Sequence, residues 1–185
     1  MSHRRAQRGQ ALAIMVLAMV AVLTTLNTAI KDLDRSAAAH LYEHPDGEIF
    51  TSLPRAGLVN AAQIRAELAE HSAYTGPEAI AALAGLVPVT RASGKHHAVS
   101  FRWACNKRLR VAITTFADNS RHASPWAAEI YQRARASGKD HPHAVRILAR
   151  SWVRVIWRCW IDQNPTIPPA TAAPMTKASM RYLSG

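Results

Sequence analysis

Cysteine and acidic residues are the scarce components of this 185-residue chain. The two cysteines, Cys105 and Cys159, lie far apart and have no metal-ligand neighbours in sequence. That argues against a disulfide framework or a zinc site, and suits two small buried hydrophobes in a reducing compartment. Asp and Glu number 12 against 23 Lys and Arg, a formal net charge of +11. The acid deficit is local: Arg91 to Arg158 holds 14 Lys or Arg against Asp118, Glu129 and Asp140, so this half carries the whole excess. A basic half with tryptophans between its charges reads as a polyanion-binding surface; generic solubility is the competing reading. No internal repeat is present. No wholly apolar run reaches the roughly 20 residues of a spanning helix, since Ala11 to Leu23 is only 13 residues long.

The N-terminal stretch is the nearest approach to a membrane segment. Arg4, Arg5 and Arg8 precede an uncharged run from Ala11 to Ile30, the pattern of a signal peptide or anchor. Thr24, Thr25, Asn27 and Thr28 dilute its second half. Leu12, Val16, Met19, Leu23, Leu26, Ile30, Leu33 and Ala37 alternate steps of four and three, and this seam continues past Lys31, Asp32 and Asp34. A bilayer segment has no reason to keep its seam beyond its end. The expectation is a long coiled-coil-like helix over residues 1–42 that pairs with another helix, with no membrane partner; a membrane anchor is the alternative.

The remainder reads as mainly α. His44-Pro45-Asp46-Gly47 breaks the first helix, and a short apolar segment leads into Pro54-Arg55-Ala56-Gly57. Asn60 is expected to cap a helix from Ala61 to Glu70, with Gln63 as capping-box partner. Two short helices about a Pro/Gly turn resemble a helix-hairpin-helix, whose turn offers amides and here Arg55 to a phosphate; an ordinary helical hairpin is the competing reading. Pro77 opens a helix that Gly85 closes. Val87-Pro88-Val89 is extended, Ser93-Gly94 makes a turn between Arg91 and Lys95, and residues 97–102 alternate as a short strand ending at Arg102. A helix is expected from Trp103 to about Asn119, with Lys107, Arg108 and Arg110 crowding its first half. Ser124-Pro125 and Pro142 open two more helices. In the last, Val145, Leu148, Trp152, Val155, Ile156 and Cys159 face a core while Arg146, Arg150, Arg154 and Arg158 form a basic stripe. Trp152, Trp157 and Trp160 read as packing anchors. The Pro-rich residues 163–185 offer little to bury and read as a disordered tail. The domains expected are thus 1–42, 43–162 and 163–185.

A small hydroxyl on a turn beside two cations, with a glycine that permits close approach, is a place for a phosphate. By spacing alone, Ser93 with Arg91 and Lys95 could equally be a surface turn.

From about Asp32 to about Asp162 the sequence resembles the C-terminal part of transposases of the insertion-sequence 110/116/902 family. The resemblance is carried in order by His44-Pro45-Asp46, Leu53-Pro54-Arg55-Ala56-Gly57, Ala84-Gly85-Leu86 with Pro88, Ser93-Gly94-Lys95, Cys105-Asn106-Lys107-Arg108-Leu109-Arg110, Trp126-Ala127, Gly138-Lys139 and Trp157-Arg158-Cys159-Trp160. It implies a DNA recombinase in which an N-terminal RuvC-like domain holds an acidic metal-binding tetrad and a C-terminal domain supplies a serine that attacks DNA, guided in studied members by a structured RNA. That serine falls on Ser93. Many family members have Gly at the position of Arg55, so the phosphate contact there would trade a close backbone approach for a cation.

The tetrad finds no counterpart, because Asp32, Asp34, Glu43, Asp46 and Glu48 fall on a helix and its exit. The sequence is therefore read as a truncated, DNA-binding transposase fragment without complete activity alone. Magnesium would belong to the missing RuvC-like domain, and no cofactor is expected in this chain. Ser93 is the expected nucleophile; Arg55, Arg91, Lys95, Arg102, Lys107, Arg108, Arg110, Arg146, Arg150 and Arg154 are the expected nucleic-acid contacts. Expected partners are DNA, a structured guide RNA and a second helix from another copy or from a full-length transposase, in the cytoplasm at the nucleoid.

Overall fold

The computed structural model describes the backbone of residues 2–93, 96–101 and 104–165 and the side chains of residues 7, 9–87 and 104–165. Within those bounds the protein is mainly α. In chain order come α1 (Ser2–Glu43), α2 (Gly47–Thr51), α3 (Leu58–Ala66), a 3-10 turn (His71–Ala73), α4 (Pro77–Leu83), β1 (Pro88–Ser93), β2 (His96–Phe101), α5 (Lys107–Ser120), α6 (Pro125–Ala136) and α7 (His141–Ile161). The two strands form an antiparallel hairpin that pairs Pro88 with Phe101 and Ser93 with His96.

The core is assembled on α7. Its stripe Val145, Leu148, Trp152, Val155, Ile156 and Cys159 is buried, as the periodicity implied, and faces Leu109, Ile113 and Phe116 of α5 and Trp126 and Ile130 of α6. Trp152 sits at the junction, its ring 4.9 Å from both Phe116 and Trp126. Its Nε1 donates to Ser120 Oγ at 2.7 Å, which removes the penalty of burying an indole N–H. Trp160 anchors the other end, edge-on to Phe50 at 5.9 Å and covered by the Arg65 guanidinium at 5.4 Å. Both tryptophans are core anchors, and Trp157 is half-buried beside them.

Three helices are opened by side-chain caps: Asn106, Ser124 and Asp140 accept from the amides of Leu109, Ala127 and His143. α5 therefore begins at Lys107, four residues later than its composition suggested, because Asn106 stops the helix on its N-terminal side. α3 also departs from expectation. Its N-cap is Gly57 at φ 71°, so Asn60 lies inside the helix and donates from Nδ2 to the Ala112 carbonyl of α5 at 3.1 Å. It ends at Ala66 because the Arg65 side chain turns back, donating from Nη1 to the Leu68 carbonyl at 2.9 Å and from Nη2 to Glu70 at 3.0 Å.

The His44-Pro45-Asp46 turn joins α1 to this body. His44 Nδ1 accepts the Asp46 amide at 3.0 Å, and the buried Asp46 carboxylate accepts Arg65 Nε at 3.1 Å. Gly47 passes so close to the Leu41 carbonyl that a Cβ there would overlap its oxygen. Only the end of α1 is engaged: Leu41 is buried, whereas Leu12, Val16, Met19, Leu23, Leu26, Ile30 and Leu33 are each more than half exposed. From Gly9 to Glu43 the helix is long and apolar enough to cross a membrane, with mean hydropathy 2.1 in an 18-residue window of which none is buried.

Candidate nucleic-acid interface

The hairpin carrying Ser93 rises from a closed foot. Its entering leg leaves α4 through Ala84, Gly85 and Leu86, and its returning leg ends at Cys105 and Asn106. The Asn106 amide donates to the Leu83 carbonyl at 2.8 Å, joining the legs directly. The Asn106 side chain bonds twice more, accepting the Leu109 amide at 3.0 Å and donating from Nδ2 to Glu67 Oε2 at 2.9 Å. One helical turn further on, Arg110 Nε donates to the Ala84 carbonyl at 3.1 Å. Gly85 stands at φ 64°, and a Cβ on it would overlap Arg110 Nη2 and come within 2.9 Å of Cys105 Cβ. Glycine is needed there on both counts.

Ser93 is the last residue of β1 and pairs with His96; Arg91 pairs with Ala98, and Ala92 with His97. The side chains of Ser93 and Arg91 lie outside the described residues, as do Lys95 and Arg102 entirely.

The other basic residues divide by environment. Lys107 and Arg108 are exposed at the start of α5, and Arg108, 82% exposed, approaches Glu67 Oε1 only to 3.8 Å. Arg55 is exposed in the α2–α3 turn at φ 57°, a left-handed position that a glycine would adopt without strain. Arg110 points inward to the hairpin foot. Arg150 and Arg154 both close on Glu78 of α4: Arg150 Nη2 reaches Oε2 and Arg154 Nη2 reaches Oε1, each at 2.8 Å. The stripe is thus present on α7, but its middle members staple α7 to α4 in this structure. Arg158 pairs with Asp162 at 2.7 Å.

Electrostatics follow these pairings. Burial pushes the Glu78 carboxyl up, but hydrogen bonds from Arg154 and Arg150, with their charges, outweigh it and leave Glu78 below the ordinary carboxylate value. Burial lowers the Arg146 pKa, Asp140 raises it, and the neighbouring charge of Arg110 lowers it again. Arg146 and Arg110 meet in a groove of about 370 Å³ between α5 and the start of α7, lined also by Thr114, Thr115, Asp118 and His141. Burial raises the Cys159 thiol, with Asp162 adding to the effect, so the cysteine stays a neutral core side chain. Both cysteines are free. Among the described residues no group of three or more His, Cys, Asp or Glu could hold a metal ion.

Residues 47–132, from α2 through the hairpin and its foot into α6, match the family described as Transposase IS116/IS110/IS902. Over this span the chain belongs to that family. It is 32% identical over 165 residues, 89% of its length, to the candidate mini-circle transposase for IS117 of Streptomyces coelicolor. It is likewise 32% identical over 168 residues to the uncharacterized 42 kDa protein of insertion element IS900 from Mycobacterium paratuberculosis. A third relative is the uncharacterized 44.8 kDa protein of insertion element IS116 from Streptomyces clavuligerus, 30% identical over 158 residues. The chain spans about 40% of the length of these curated relatives.

The transposase-family span contains Ser93, the basic start of α5 and every residue of the hairpin foot; the arginines of α7 lie beyond it. Reading the sequence for charge missed Glu78 and the latch made by Asn106. Glu78 bonds across 72 and 76 residues, a separation at which local pattern carries no signal. Asn106 could have been found as an N-cap ahead of a clean amphipathic period.

Proposed function

We propose that this chain is the DNA-binding, serine-bearing part of an insertion-sequence transposase, acting in DNA transposition with Ser93 as the nucleophile. The observation that supports it most is the placement of Ser93 at the end of β1, inside the family-matched span, on a hairpin whose foot adjoins the exposed cations Lys107 and Arg108. Lys107 and Arg108 hold the DNA backbone, Arg55 and the first amides of α3 offer a second phosphate contact, and Arg91, Lys95 and Arg102 supply charge around Ser93. A serine hydroxyl attacks only when a base takes its proton or cations stabilise the charge that develops. The strand register puts His96 opposite Ser93 and His97 opposite Ala92, which makes His96 the better candidate base. Magnesium, with the carboxylates that bind it, belongs to a separate RuvC-like domain, and a structured guide RNA is a second polyanion for the basic half. The chain works in the cytoplasm, at the nucleoid.

The test has two arms. Binding to a labelled DNA duplex should be strongly salt-dependent: with roughly six phosphate contacts, affinity falls by about three orders of magnitude between 50 and 200 mM salt. A flat response would overturn the binding reading. Joined to an intact nuclease-like domain, the chain should form a covalent protein–DNA link, Ser93 Oγ bonding to phosphorus as a P–O ester bond of the strand breaks and frees a DNA hydroxyl; Ser93→Ala should abolish the link while binding is nearly unchanged. An adduct that survives Ser93→Ala would place the nucleophile elsewhere.

One observation favours a second reading, a membrane-anchored basic protein: α1 has the length and hydropathy of a membrane span. Recovery of the chain in the membrane pellet after a high-salt wash would support it.

A further inference from the structure

We propose that Arg110, together with Asn106 and Gly85, is a positioning device that fixes the direction of the β1–β2 hairpin, and that Arg110 is not a phosphate contact. The proposal rests on the reading of Ser93 as the nucleophile. A two-stranded hairpin is marginal by itself, and among the described residues β1 and β2 pair only with each other. What aims Ser93 must therefore act where the hairpin meets the helical body.

Three bonds meet at that place. The Asn106 amide ties the returning leg to Leu83, Arg110 Nε ties α5 to Ala84, and Asn106 Nδ2 ties both to Glu67 beside α3. Asn106, the N-cap of α5, and Arg110, in its first turn, both reach the ends of the hairpin legs. The guanidinium occupies the space that Gly85 leaves by having no side chain, and its charge strengthens the bond to the Ala84 carbonyl. α4, which delivers the entering leg, is held from its far side by Glu78 between Arg150 and Arg154. With both legs fixed, rotation of the hairpin about its foot requires breaking a charge-assisted bond. Arg108, two residues earlier, approaches Glu67 only to 3.8 Å and otherwise projects into solvent.

The full chain distinguishes the two roles. Backbone amide exchange would be followed over residues 86–101 and over α7, with affinity for a short fluorescein-labelled DNA duplex measured in parallel, for Arg110→Ala, Arg108→Ala and Gly85→Ala. Arg110→Ala should speed exchange of the hairpin amides about tenfold, the size of one charge-assisted hydrogen bond. Exchange in α7 and the melting temperature should hardly change, and affinity should stay within about twofold. Arg108→Ala should show the reverse, weaker binding with unchanged exchange. Gly85→Ala removes no charge but displaces the guanidinium, so it should loosen the hairpin as Arg110→Ala does, and it serves as the readout should Arg110→Ala fail to fold. Unchanged hairpin exchange in both foot variants, or an affinity loss on Arg110→Ala equal to that of Arg108→Ala, would overturn the proposal. Because exchange is read on the hairpin backbone, either result is independent of the Ser93 adduct experiment, which tests the nucleophile separately.

Discussion

Ser120 carries more of the core than its size suggests. It is fully buried, its hydroxyl donates to the Ala117 carbonyl, and it accepts Trp152 Nε1, both at 2.7 Å. Ser120→Ala would leave the indole N–H buried without a partner, and should destabilise the protein by about 1–3 kcal/mol in a denaturant titration. Asp46 poses the same question with charge. Breaking its buried pair with Arg65 strands a guanidinium, so Asp46→Ala should remove about 3–5 kcal/mol; a loss under about 1 kcal/mol would mean that Glu70 and the Leu68 carbonyl satisfy Arg65 unaided. At this scale the sequence revealed types of residue better than their partners. Trp152 was legible as an anchor from the period of α7, but Ser120 stands 32 residues away. Asp46 stood out as an acid with no metal role that position could assign; only the fold shows that its partner is Arg65.

The elements were legible to the extent that their ends are chemically marked. Ser124 with Pro125, and Pro142 in the first turn of α7, fixed two helix starts closely, whereas the starts of α3 and α5 were misread because Gly57 and Asn106 capped ahead of or behind the expected residue. The basic stripe of α7 was visible, but what two of its members touch was not, since Glu78 comes from a helix of seven residues. That clamp carries a pH signature. Its folded pKa is depressed, so its contribution is present above the ordinary value near 4.5 and is lost as pH falls through the lower, folded value. The carboxylate is about half exposed, which limits the effect to less than about 1 kcal/mol. Amide exchange in α4 should therefore quicken relative to α6 as pH drops below about 4.5, after correction for intrinsic rates. Glu78→Gln should make α4 loose at all pH values; an unchanged pH profile in that variant would show that another group titrates.

For the whole molecule, the element that matters most is α1. Seven large apolar side chains along its seam, each more than half exposed, represent surface that water penalises strongly and that an apolar partner would stabilise. The hydroxyls of Thr24, Thr25 and Thr28 bond back to the carbonyls four residues before them, which makes this stretch tolerable in any apolar setting. One feature chooses between settings. The seam runs on through Leu33 beside Lys31, Asp32, Asp34 and Arg35, where a bilayer core would end but a helical partner would not. The seam therefore predicts association through α1 with a second copy of the chain. In detergent-free buffer, light scattering should give at least twice the chain's 20.3 kDa, and changing Leu23 and Ile30 to Asp should return it to the monomer without altering the melting of α5–α7. A monomer in the unsubstituted chain, or a chain that stays in the membrane pellet after a high-salt wash, would assign the apolar surface of α1 to lipid instead.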